Sequence, residues 1–386
     1  MGKHLVLVGG GHAHLTVLSN LAGYVQSGHR VTLIGPSPYH YYSGMGPGLL
    51  SGIYRAQDAR FHVKKMAEDR GGTFVQDKVI KIDPGQRTLN LQSGKQVSYD
   101  VVSFNTGSDV PLSPLVSAPP ENIVPVKPVF NLLLARRVIL PALKQKSMEF
   151  IVIGGGPAGV EITANLWRLV NENRGKALIR LIAGRKLLVG LPEKVQGLAL
   201  RSLTDRGIAV TEGNRVKEMT RDEIRLTDGS SHSFDVAFMA LGVQPSRIFH
   251  DSGIPKGPDG GLLVNSFLQS VAHLEMFGGG DCVSFAEQPL AKVGVYAVRQ
   301  NPILLHNLLA ALEGKEMKAF MPQKDYMLIF NMGNGRGILW KKNFLWEGRL
   351  AFLLKDYIDR KFMRKFQVAG ELNEEENQVA SPQKPK

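Results

Sequence analysis

Three glycines at fixed spacing are the residues whose pattern points most directly to chemistry. Gly154, Gly156 and Gly159 lie between a strand-like apolar run and a helical pattern. In such a loop the first glycine makes a tight turn, the second lets backbone N–H groups approach a pyrophosphate, and the third lets helix and strand pack closely. The helix N-terminus adds free N–H groups and a favourable dipole for an anion. The spacing therefore predicts a nucleotide-binding loop that includes Pro157 and Ala158.

A similar loop follows the first apolar run of the chain. Gly9 and Gly11 occupy the first two glycine positions, but His14 stands at the third. We expect a histidine there either to push the helix away from the strand or to turn its ring outward. His12 and His14 could be a pair of metal ligands, but no carboxylate cluster accompanies them, so we predict no metal site. Packing, or contact of His12 and Ala13 with a pyrophosphate, is the favoured interpretation.

Each glycine loop opens the same succession of elements. A helical pattern, a second strand and, later, a strand that ends in a small-residue turn follow both loops. The two turns are Thr106-Gly107 and Leu241-Gly242, and Gly280-Asp281 is a further junction of this kind. An internal repeat of strand–loop–helix units indicates two nucleotide-binding domains. The predicted fold class is therefore α/β, with two Rossmann-like dinucleotide-binding domains and a C-terminal amphipathic helical segment.

Local patterns predict several further elements. A helix is expected from about residue 12 to residue 24, because apolar residues recur there at helical spacing. Residues 38–53 carry too many helix breakers to be helical, and the proline-rich stretch 111–128 is interpreted as a linker. Residues 343–366 are predicted to be amphipathic, basic and helical, whereas the polar stretch 370–386 is predicted to be a disordered tail.

Each glycine loop and its helix are followed by a second strand, and the residues at the end of that strand indicate which nucleotide is bound. An acidic residue commonly stands there and binds a ribose hydroxyl group. The first of these strands ends at Ser37, so this hydroxyl or the backbone must take that role. The other is followed by Arg185, and a guanidinium without a nearby acid suits a 2′-phosphate. NADPH is therefore slightly favoured over NADH, unless Arg185 is only a solvated loop residue.

Glu161 lies in the first turn of the helix that follows the second loop. In one interpretation Glu161 is only an acid at a helix N-terminus, which the helix dipole stabilises. The alternative is a carboxylate that lies beside the nicotinamide and relays protons. The sequence leaves both interpretations open.

Composition and charge limit the classes of protein that remain. The chain of 386 residues carries 47 Lys and Arg against 34 Asp and Glu, a net charge of +13. No nucleic-acid motif accompanies this charge, so no nucleic-acid partner is predicted. The single cysteine, Cys282, excludes an intramolecular disulfide and paired-thiol chemistry, and we interpret it as a small buried residue. No apolar run reaches about 18 residues, and no secretory signal is visible, so a cytosolic chain is expected.

The chain resembles the two-dinucleotide-binding-domain flavoproteins, the pyridine nucleotide-disulfide oxidoreductase group. The matching motifs are the two glycine loops, residues 106–108, residues 241–245 and Gly280-Asp281. Within the group, the chain is most similar to the branch that holds type II NADH dehydrogenases and sulfide:quinone oxidoreductases. The strings GGGHAHL, YSGMGPGLLSGIY, KVGVYAVRQ and KDYIDRKFM resemble a subgroup that is also found fused to selenophosphate synthetase. A histidine at the position of His14 is usual in that subgroup.

The resemblance implies non-covalently bound FAD in one domain and NAD(P)H as co-substrate in the other. The FAD-binding domain would be discontinuous, with residues 1–110 and 246–320, and the NAD(P)-binding domain would be inserted as residues 111–245. Residues 321–369 would contact a quinone or a membrane. Asp281 would bind the ribityl chain of FAD. The implied cofactor-binding residues outside the two loops are Ser37, Gly44, Met45, Val79, Thr106, Gly107, Arg185, Gly242, Gly280, Asp281, Lys292 and Val293.

The activity implied by the resemblance is hydride transfer from NAD(P)H to FAD, followed by transfer of two electrons to a quinone. Glu161, Tyr296 and Gln300 are the predicted catalytic residues. Tyr296 and Gln300 are included because the corresponding helix borders the quinone pocket in type II NADH dehydrogenases. Two other functions stay open: a soluble reductase of a protein electron carrier, which a basic surface would suit, and a non-catalytic flavin-bound redox sensor.

The basic amphipathic C-terminus suits the cytoplasmic face of an anionic membrane. A peripheral location there is therefore expected, and packing of the helix against the protein's own domains is the alternative. A homodimer also stays open. The predicted apolar face of the helix consists of Leu350, Leu354, Tyr357, Ile358 and Phe362.

Overall fold

A computed structural model describes residues 2–113, 115–116 and 119–374 of the chain. The strands are β1 (His4–Val8), β2 (Arg30–Gly35), β3 (His40–Tyr41), β4 (Arg60–Phe61), β5 (Thr73–Gln76), β6 (Val79–Asp83), β7 (Thr88–Leu91), β8 (Gln96–Ser98), β9 (Val101–Phe104), β10 (Ser108–Asp109), β11 (Ile123–Pro125), β12 (Met148–Ile153), β13 (Ala177–Gly184), β14 (Ala209–Glu212), β15 (Val216–Met219), β16 (Glu223–Leu226), β17 (Ser231–Ser233), β18 (Val236–Met239), β19 (Gln244–Pro245), β20 (Leu262–Val264), β21 (Met276–Gly278), β22 (Val283–Phe285), β23 (Leu328–Asn331), β24 (Gly337–Lys341) and β25 (Phe344–Gly348). The helices are α1 (Leu15–Ser19), α2 (Leu21–Gln26), α3 (Gly46–Ser51), α4 (Val63–Glu68), α5 (Phe130–Leu143), α6 (Pro157–Glu172), α7 (Glu193–Thr204), α8 (Ile248–Asp251), α9 (Gly294–Glu313) and α10 (Arg349–Phe366).

Two five-stranded parallel sheets form the frame of the molecule. The strand order is β21-β9-β1-β2-β5 in the first sheet and β11-β18-β12-β13-β14 in the second. All strand pairs in both sheets are parallel, and the central strands β1 and β12 are almost wholly buried. Strands covered on both faces consist of nearly unbroken apolar residues. The predicted α/β fold class, with its C-terminal helix, is confirmed.

The first sheet draws its strands from two separate parts of the chain. β21 joins β9 in this sheet, although all strands of the second sheet lie between them in sequence. The part of the chain that carries the first sheet is called the first unit below, and the part that carries the second sheet is called the second unit. The exact domain boundaries given above stay a prediction.

One part of the predicted linker is a strand. Ile123–Pro125 forms β11, which pairs in parallel with β18 at the edge of the second sheet. Proline is tolerated in an edge strand because its missing N–H group removes no bond inside the sheet. The linker prediction for residues 111–128 is therefore wrong for this strand. Residues 114, 117 and 118 lie outside the described part of the chain.

The prediction that residues 38–53 contain no helix is wrong. Gly46–Ser51 forms α3, with Pro47 in its first turn and Gly52 directly after its last residue. Proline is tolerated in a first turn because the N–H group that it lacks would have no helical partner there. Gly52 has a φ of +83°, the left-handed conformation that ends many helices. Pro47 and Gly52, two of the supposed helix breakers, therefore occupy positions at which a helix tolerates them.

The helix expected from residue 12 to residue 24 is interrupted. A 3-10 turn at His12–His14 precedes α1, and Asn20 separates α1 from α2. Asn20 has a φ of −111°, and its side-chain amide donates to the Thr16 carbonyl at 2.8 Å. Asparagine competes in this way with the backbone bonds of a helix. The spacing of apolar residues alone does not reveal such a break.

The C-terminal region differs from its prediction at both ends. Residues 344–348 form β25, the edge strand of an antiparallel sheet with β23 and β24, so the helix begins only at Arg349. The tail prediction is wrong for residues 370–374, where Glu371 is fully buried. The remainder of the predicted tail, residues 375–386, lies outside the described residues. Among the helices that the structure describes, none has the length and apolar character needed to span a bilayer.

His14 does not turn outward and instead lies fully buried between the first loop and the first sheet. Its Nδ1 lies 2.7 Å from the Gly9 carbonyl oxygen, and its Nε2 lies 2.8 Å from the Ser103 hydroxyl on β9. Burial lowers the pKa of His14 to about 4, so the ring is neutral at physiological pH. A neutral imidazole has one donor and one acceptor, which matches a carbonyl and a hydroxyl group. His14 therefore joins loop and strand through hydrogen bonds, where a glycine would join them by close packing.

Replacing His14 with alanine should destabilise the first unit. The change removes both hydrogen bonds and leaves a buried hydroxyl group without this partner, so the free energy of unfolding should fall by about 2–4 kcal/mol. Urea denaturation followed by circular dichroism measures the loss. His250→Ala is the matched control, since the His250 side chain is 57% exposed. Equal unfolding midpoints for the two variants would contradict the bridging role of His14.

Candidate functional site

The first glycine loop lies against the end of β9. Gly9 has a φ of +88°, and a Cβ atom there would lie 2.4 Å from the Asn105 carbonyl oxygen. A Cβ atom at Gly11 would lie 2.3 Å from the Asn105 side-chain oxygen. Both positions therefore exclude a larger residue, which is the close backbone approach expected of a dinucleotide-binding loop.

Two asparagines without any signal in the sequence hold this loop in place. Asn105 accepts from the Ala13 N–H at 3.0 Å and donates to the Gly279 carbonyl at 2.6 Å. Asn301 on α9 donates to the His12 carbonyl at 2.6 Å. The two side-chain amides thereby tie the loop to the end of β21 and to α9. A lone asparagine at a strand end or inside a helix has no characteristic spacing, which is why neither was predicted.

His12 is buried in the same loop and has one ring nitrogen without a partner. Its Nε2 makes no hydrogen bond to any described residue, whereas its Nδ1 lies 3.5 Å from Nε2 of His40. The ring stacks on Phe362 of α10 at a centroid distance of 6.1 Å. Burial lowers the pKa of His12 to about 4, although the charge of Asp281 opposes this shift. A buried polar atom without a partner fits a site that a polar ligand completes.

Asp281 follows β21, and two side chains that lie far from it in sequence bind its carboxylate. Its carboxylate accepts from Lys127 Nζ at 2.7 Å and from the Ser108 hydroxyl at 2.8 Å. Burial alone would raise the pKa of Asp281, but the Lys127 ammonium and these hydrogen bonds outweigh it and lower the pKa. The carboxylate is therefore ionised at neutral pH and can accept from hydroxyl groups. Lys127 was not predicted, because it lies in the stretch that was interpreted as a linker.

Two of the predicted catalytic residues lie on α9. Gln300 is buried, and its side-chain oxygen accepts from the Gly280 N–H at 2.7 Å. The Tyr296 hydroxyl donates to the Gln323 carbonyl at 3.2 Å. Both side chains thus bond to the protein's own backbone, and their catalytic role stays a prediction.

The other residues predicted to bind a cofactor in the first unit differ in exposure. The Ser37 hydroxyl accepts from the Tyr39 N–H at 3.1 Å. Met45 and Val79 are buried, whereas Thr106 is exposed. The partly buried members of the set are Ser37, Gly44, Gly107, Gly280, Lys292 and Val293.

The second glycine loop has the geometry that its spacing predicts. Gly154 has a φ of +128°, and a Cβ atom there would lie 2.1 Å from the Ala240 carbonyl oxygen. A Cβ atom at Gly159 would lie 1.8 Å from the Gly154 carbonyl oxygen, so α6 packs directly on the loop. At Gly156, by contrast, no atom lies within 4 Å of a Cβ position. The first and third glycines are therefore needed for packing, and the second faces open space, where a phosphate can approach.

The remaining predicted residues of the second unit lie at the surface. Arg185 directly follows β13, and its side chain is exposed. The exposed members of the predicted set in this unit are Pro157, Ala158, Arg185 and Gly242.

Glu161 lies one turn into α6 and is partly buried. Its Oε1 accepts from the Asn331 N–H on β23 at 2.7 Å. Burial raises the pKa of Glu161, although the charge of Lys355 and the Asn331 hydrogen bond oppose the shift. The carboxyl group therefore binds a proton more readily than an exposed glutamate does.

Lys355 and Asp359 on α10 face this carboxyl group and were not predicted. Lys355 Nζ donates to the Gly44 carbonyl at 2.8 Å and to the Asp359 carboxylate at 2.8 Å. The Tyr42 hydroxyl donates to the same carboxylate at 3.1 Å. Burial opposes the charge of Lys355, but Asp359 and Glu161 outweigh it and raise the pKa of Lys355. The one available signal was a lysine and an aspartate four residues apart within KDYIDRKFM, a spacing that surface helices also show.

Cys282 is buried, as predicted, and its thiol lies 3.3 Å from the carbonyl oxygens of Phe104 and Gly279. Burial raises the pKa of the thiol, and a neutral buried thiol is a poor nucleophile. Within residues 2–113, 115–116 and 119–374, no cluster of three or more His, Cys, Asp or Glu side chains could hold a metal ion.

Known proteins are similar in sequence to most of the chain. Ferroptosis suppressor protein 1 of Taeniopygia guttata is 25% identical over 314 residues, which cover 78% of this chain and 80% of that protein. External alternative NAD(P)H-ubiquinone oxidoreductase B3, mitochondrial, of Arabidopsis thaliana is 23% identical over 327 residues, which cover 74% of this chain and 55% of that protein. Neither of these relatives tests the resemblance to the subgroup fused to selenophosphate synthetase, which stays a prediction.

Solved structures are similar over nearly the whole chain. NDH2 of Plasmodium falciparum in complex with NADH has a TM-score of 0.82 at 14% identity and covers 97% of this chain and 96% of that one. The sulfide:quinone oxidoreductase of Aquifex aeolicus has a TM-score of 0.77 at 19% identity and covers 95% of this chain and 92% of that one. At these identities the likeness shows the fold. The family model described as pyridine nucleotide-disulphide oxidoreductase matches residues 3–304, and the chain therefore belongs to this family of oxidoreductases.

Proposed function

We propose that the protein is an FAD-dependent NAD(P)H:quinone oxidoreductase. The observation that carries the proposal is the junction of Gly44, Glu161 and Lys355. Gly44 belongs to the first unit, and Glu161 follows the second glycine loop. Lys355 donates a hydrogen bond to the Gly44 carbonyl, and its charge lowers the pKa of Glu161 against the effect of burial. The junction therefore brings a protonatable carboxyl group and a buried positive charge to the place where the two units meet.

The residues of the first unit fit FAD. Gly9 and Gly11 allow the backbone to approach a pyrophosphate, and His12 offers a buried ring nitrogen that lacks a partner. The ionised Asp281 can accept from ribityl hydroxyls, and the Ser37 hydroxyl stands at the strand end where a ribose is expected. FAD, when bound, accepts a hydride from a nicotinamide and passes two electrons to an acceptor. The protein contributes binding, orientation and electrostatics.

Reduction of a quinone to a quinol requires one proton besides the hydride that NAD(P)H supplies. Glu161 is our candidate for holding this proton, because burial raises its pKa and favours the protonated form. Lys355 supplies a positive charge that stabilises negative charge formed nearby during the reaction. We assign positioning roles to Gln300 and Tyr296, which hold the Gly280 N–H and the Gln323 carbonyl through hydrogen bonds.

We propose that the outer face of α10 contacts a membrane. Leu350, Leu353 and Tyr357 recur at helical spacing and are 59%, 56% and 59% exposed. Phe344 and Trp346 of β25 are 58% and 39% exposed. A cluster of exposed apolar side chains on one surface is typical of a contact with a membrane or a partner.

Basic residues continue this face toward the end of α10. Lys361 and Arg364 follow Tyr357 at the same helical spacing, and both are exposed. A basic, apolar helix face suits an anionic lipid surface. Of the predicted apolar face, Leu350, Tyr357 and Ile358 are exposed, whereas Leu354 and Phe362 are partly buried. The helix thus packs on the protein with one side and leaves the other side open.

The alternative acceptor is a protein electron carrier. The exposed basic residues of α10 and the net charge of +13 favour an acidic carrier of this kind. Direct measurement of which acceptor, a quinone or a protein carrier, reoxidises the reduced protein distinguishes the two.

Gly156→Ala should impair nucleotide docking without impairing folding. The added methyl group meets no atom within 4 Å, so the protein should fold and keep FAD, but the methyl group occupies the approach of a phosphate. We expect kcat/KM for NAD(P)H, with a water-soluble quinone as acceptor, to fall about tenfold or more. Gly197→Ala on α7 is the matched control, because a Cβ atom there also has open space. Equal turnover by both variants, or no turnover of any quinone by the wild type, would refute the proposal.

Arg185→Ala should change the preference between the two nicotinamide nucleotides. If Arg185 binds a 2′-phosphate, kcat/KM should fall about tenfold for NADPH and stay within about twofold for NADH. Steady-state kinetics with each nucleotide measures the two values. Arg225→Ala, at a side chain that is 54% exposed, is the control. An equal fall in kcat/KM for both nucleotides would show that Arg185 does not bind the 2′-phosphate.

Leu353→Glu should weaken binding to anionic vesicles. The change places a negative charge in the centre of the exposed apolar face, and the fraction of protein that co-sediments with phosphatidylserine-containing vesicles should fall several-fold. Val138→Glu on α5 is the matched control, since Val138 is 68% exposed on another helix. If both variants sediment as the wild type does, this face does not bind lipid.

A further inference from the structure

Arg60 on β4 is a fully buried cation with an incomplete set of partners. Its Nη2 donates to Glu374 Oε2 at 2.8 Å, whereas its Nε and Nη1 have no hydrogen-bond partner among the described residues. The guanidinium group lies over the Tyr39 ring, 3.9 Å from the ring centroid. A buried cation without a counter-charge is strongly destabilising. The carboxylate of Glu374 is the direct ion-pair partner of Arg60, and the charge of Arg60 also lowers the pKa of the buried Glu371, although burial raises that pKa more.

The groups around Glu374 form a site for an anion. The Tyr39 hydroxyl donates to Glu374 Oε2 at 2.9 Å, and His62 Nε2 lies 3.7 Å from Glu374 Oε1. The guanidinium, the phenol and the imidazole come from three positions of one short stretch of the first unit. Glu374, by contrast, lies 314 residues after Arg60 in the chain. A distant part of the chain thus fills an anion site on the first unit.

The turn that carries Glu374 is packed on the protein. Glu371 is fully buried, and its Oε2 accepts from the Val368 N–H at 3.1 Å. Just before this turn, the Gln367 side chain donates to the Gln57 carbonyl at 2.9 Å. The contact therefore consists of a buried turn with its own hydrogen bonds and not of a single surface ion pair.

The anion site adjoins the strand end where a ribose of FAD is expected. Tyr39 bonds through its N–H to the Ser37 hydroxyl at 3.1 Å, so Tyr39 connects this strand end to Glu374. Upstream of the turn, Phe362 of α10 stacks on His12 in the first glycine loop. Further upstream, Lys355 bonds to the Gly44 carbonyl. The C-terminal segment thus contacts the first unit at three places, each at or beside a residue assigned to FAD: His12, Gly44 and, next to Tyr39, Ser37.

We propose that residues 370–374 form a latch, in which Glu374 fills an anion site made by Arg60, Tyr39 and His62, and that the docked latch slows the release of FAD. The inference rests on the assignment of FAD to the first unit and does not depend on the electron acceptor. Release of the latch would remove the last of the three contacts and open the ribose end of the cleft.

Glu374→Gln tests the latch, because it keeps the size of the side chain and removes its charge. The FAD-loaded protein is diluted, and the rate of FAD release is followed by the rise of flavin fluorescence. The release rate should increase about tenfold, since hydrogen bonds between charged groups are the strong ones. Glu347→Gln is the matched control, because Glu347 lies in β25 and its side chain is 45% exposed.

Tyr39→Phe provides a second variant that leaves Arg60 in place. It removes one donor to Glu374, so it should accelerate release less than Glu374→Gln does. The double variant should release FAD no faster than Glu374→Gln alone, because both changes act on one contact. Additive effects of the two changes would overturn the shared site.

Hydrogen exchange at the Val368 amide reports docking independently of FAD, since this N–H bonds to Glu371. Exchange should be faster in Glu374→Gln than in Glu347→Gln. Unchanged exchange would overturn the latch, and faster exchange with an unchanged release rate would overturn its role in FAD retention. A wild-type protein without FAD would overturn the inference together with the cofactor assignment. Retained FAD without quinone turnover would overturn the proposed function and leave the latch standing.

Discussion

The buried ammonium group of Lys355 is the interaction on which the arrangement of the site depends. It binds the Gly44 carbonyl of the first unit, pairs with Asp359 on its own helix, and acts on the carboxyl group of Glu161 in the second unit. A buried charge is stable only while such partners surround it. Movement of either unit relative to α10 would remove the Gly44 bond or the Glu161 interaction and leave fewer partners for this charge, so the three parts share one geometry. The helix with the exposed apolar face is therefore also the helix that completes the site.

The two glycine loops could be predicted from the sequence because their spacing reflects a requirement of the backbone itself. At Gly9 and Gly154 any Cβ atom would collide with a neighbouring carbonyl oxygen, and this requirement is visible in the residue types alone. The direction of His14 could not be predicted in the same way. A histidine in place of a glycine can either disturb the packing or bridge loop and strand through hydrogen bonds. The bridge requires a hydrogen-bond partner on the strand, and this partner, Ser103, is 89 residues away in sequence.

The rest of the site depends on contacts between distant parts of the chain. Lys127 reaches Asp281 across 154 residues, and Arg60 reaches Glu374 across 314 residues. No periodicity or motif connects such pairs. The proline-rich stretch that contains Lys127 was interpreted as a linker, and the polar stretch that contains Glu374 was predicted to be a disordered tail. Local composition indicates whether a segment is structured in isolation. These segments are instead ordered by contacts with buried charges, which form only in the folded protein.

We propose that electrons pass from NAD(P)H through bound FAD to a quinone. Anaerobic rapid mixing of the FAD-loaded protein with NADH or NADPH, followed by a second mixing with a quinone, tests it most directly. We expect the visible absorbance of the flavin to be lost on mixing with at least one nucleotide and to recover when the quinone is added. Bound FAD that neither nucleotide bleaches, or bleached flavin that no quinone reoxidises, would contradict the claim.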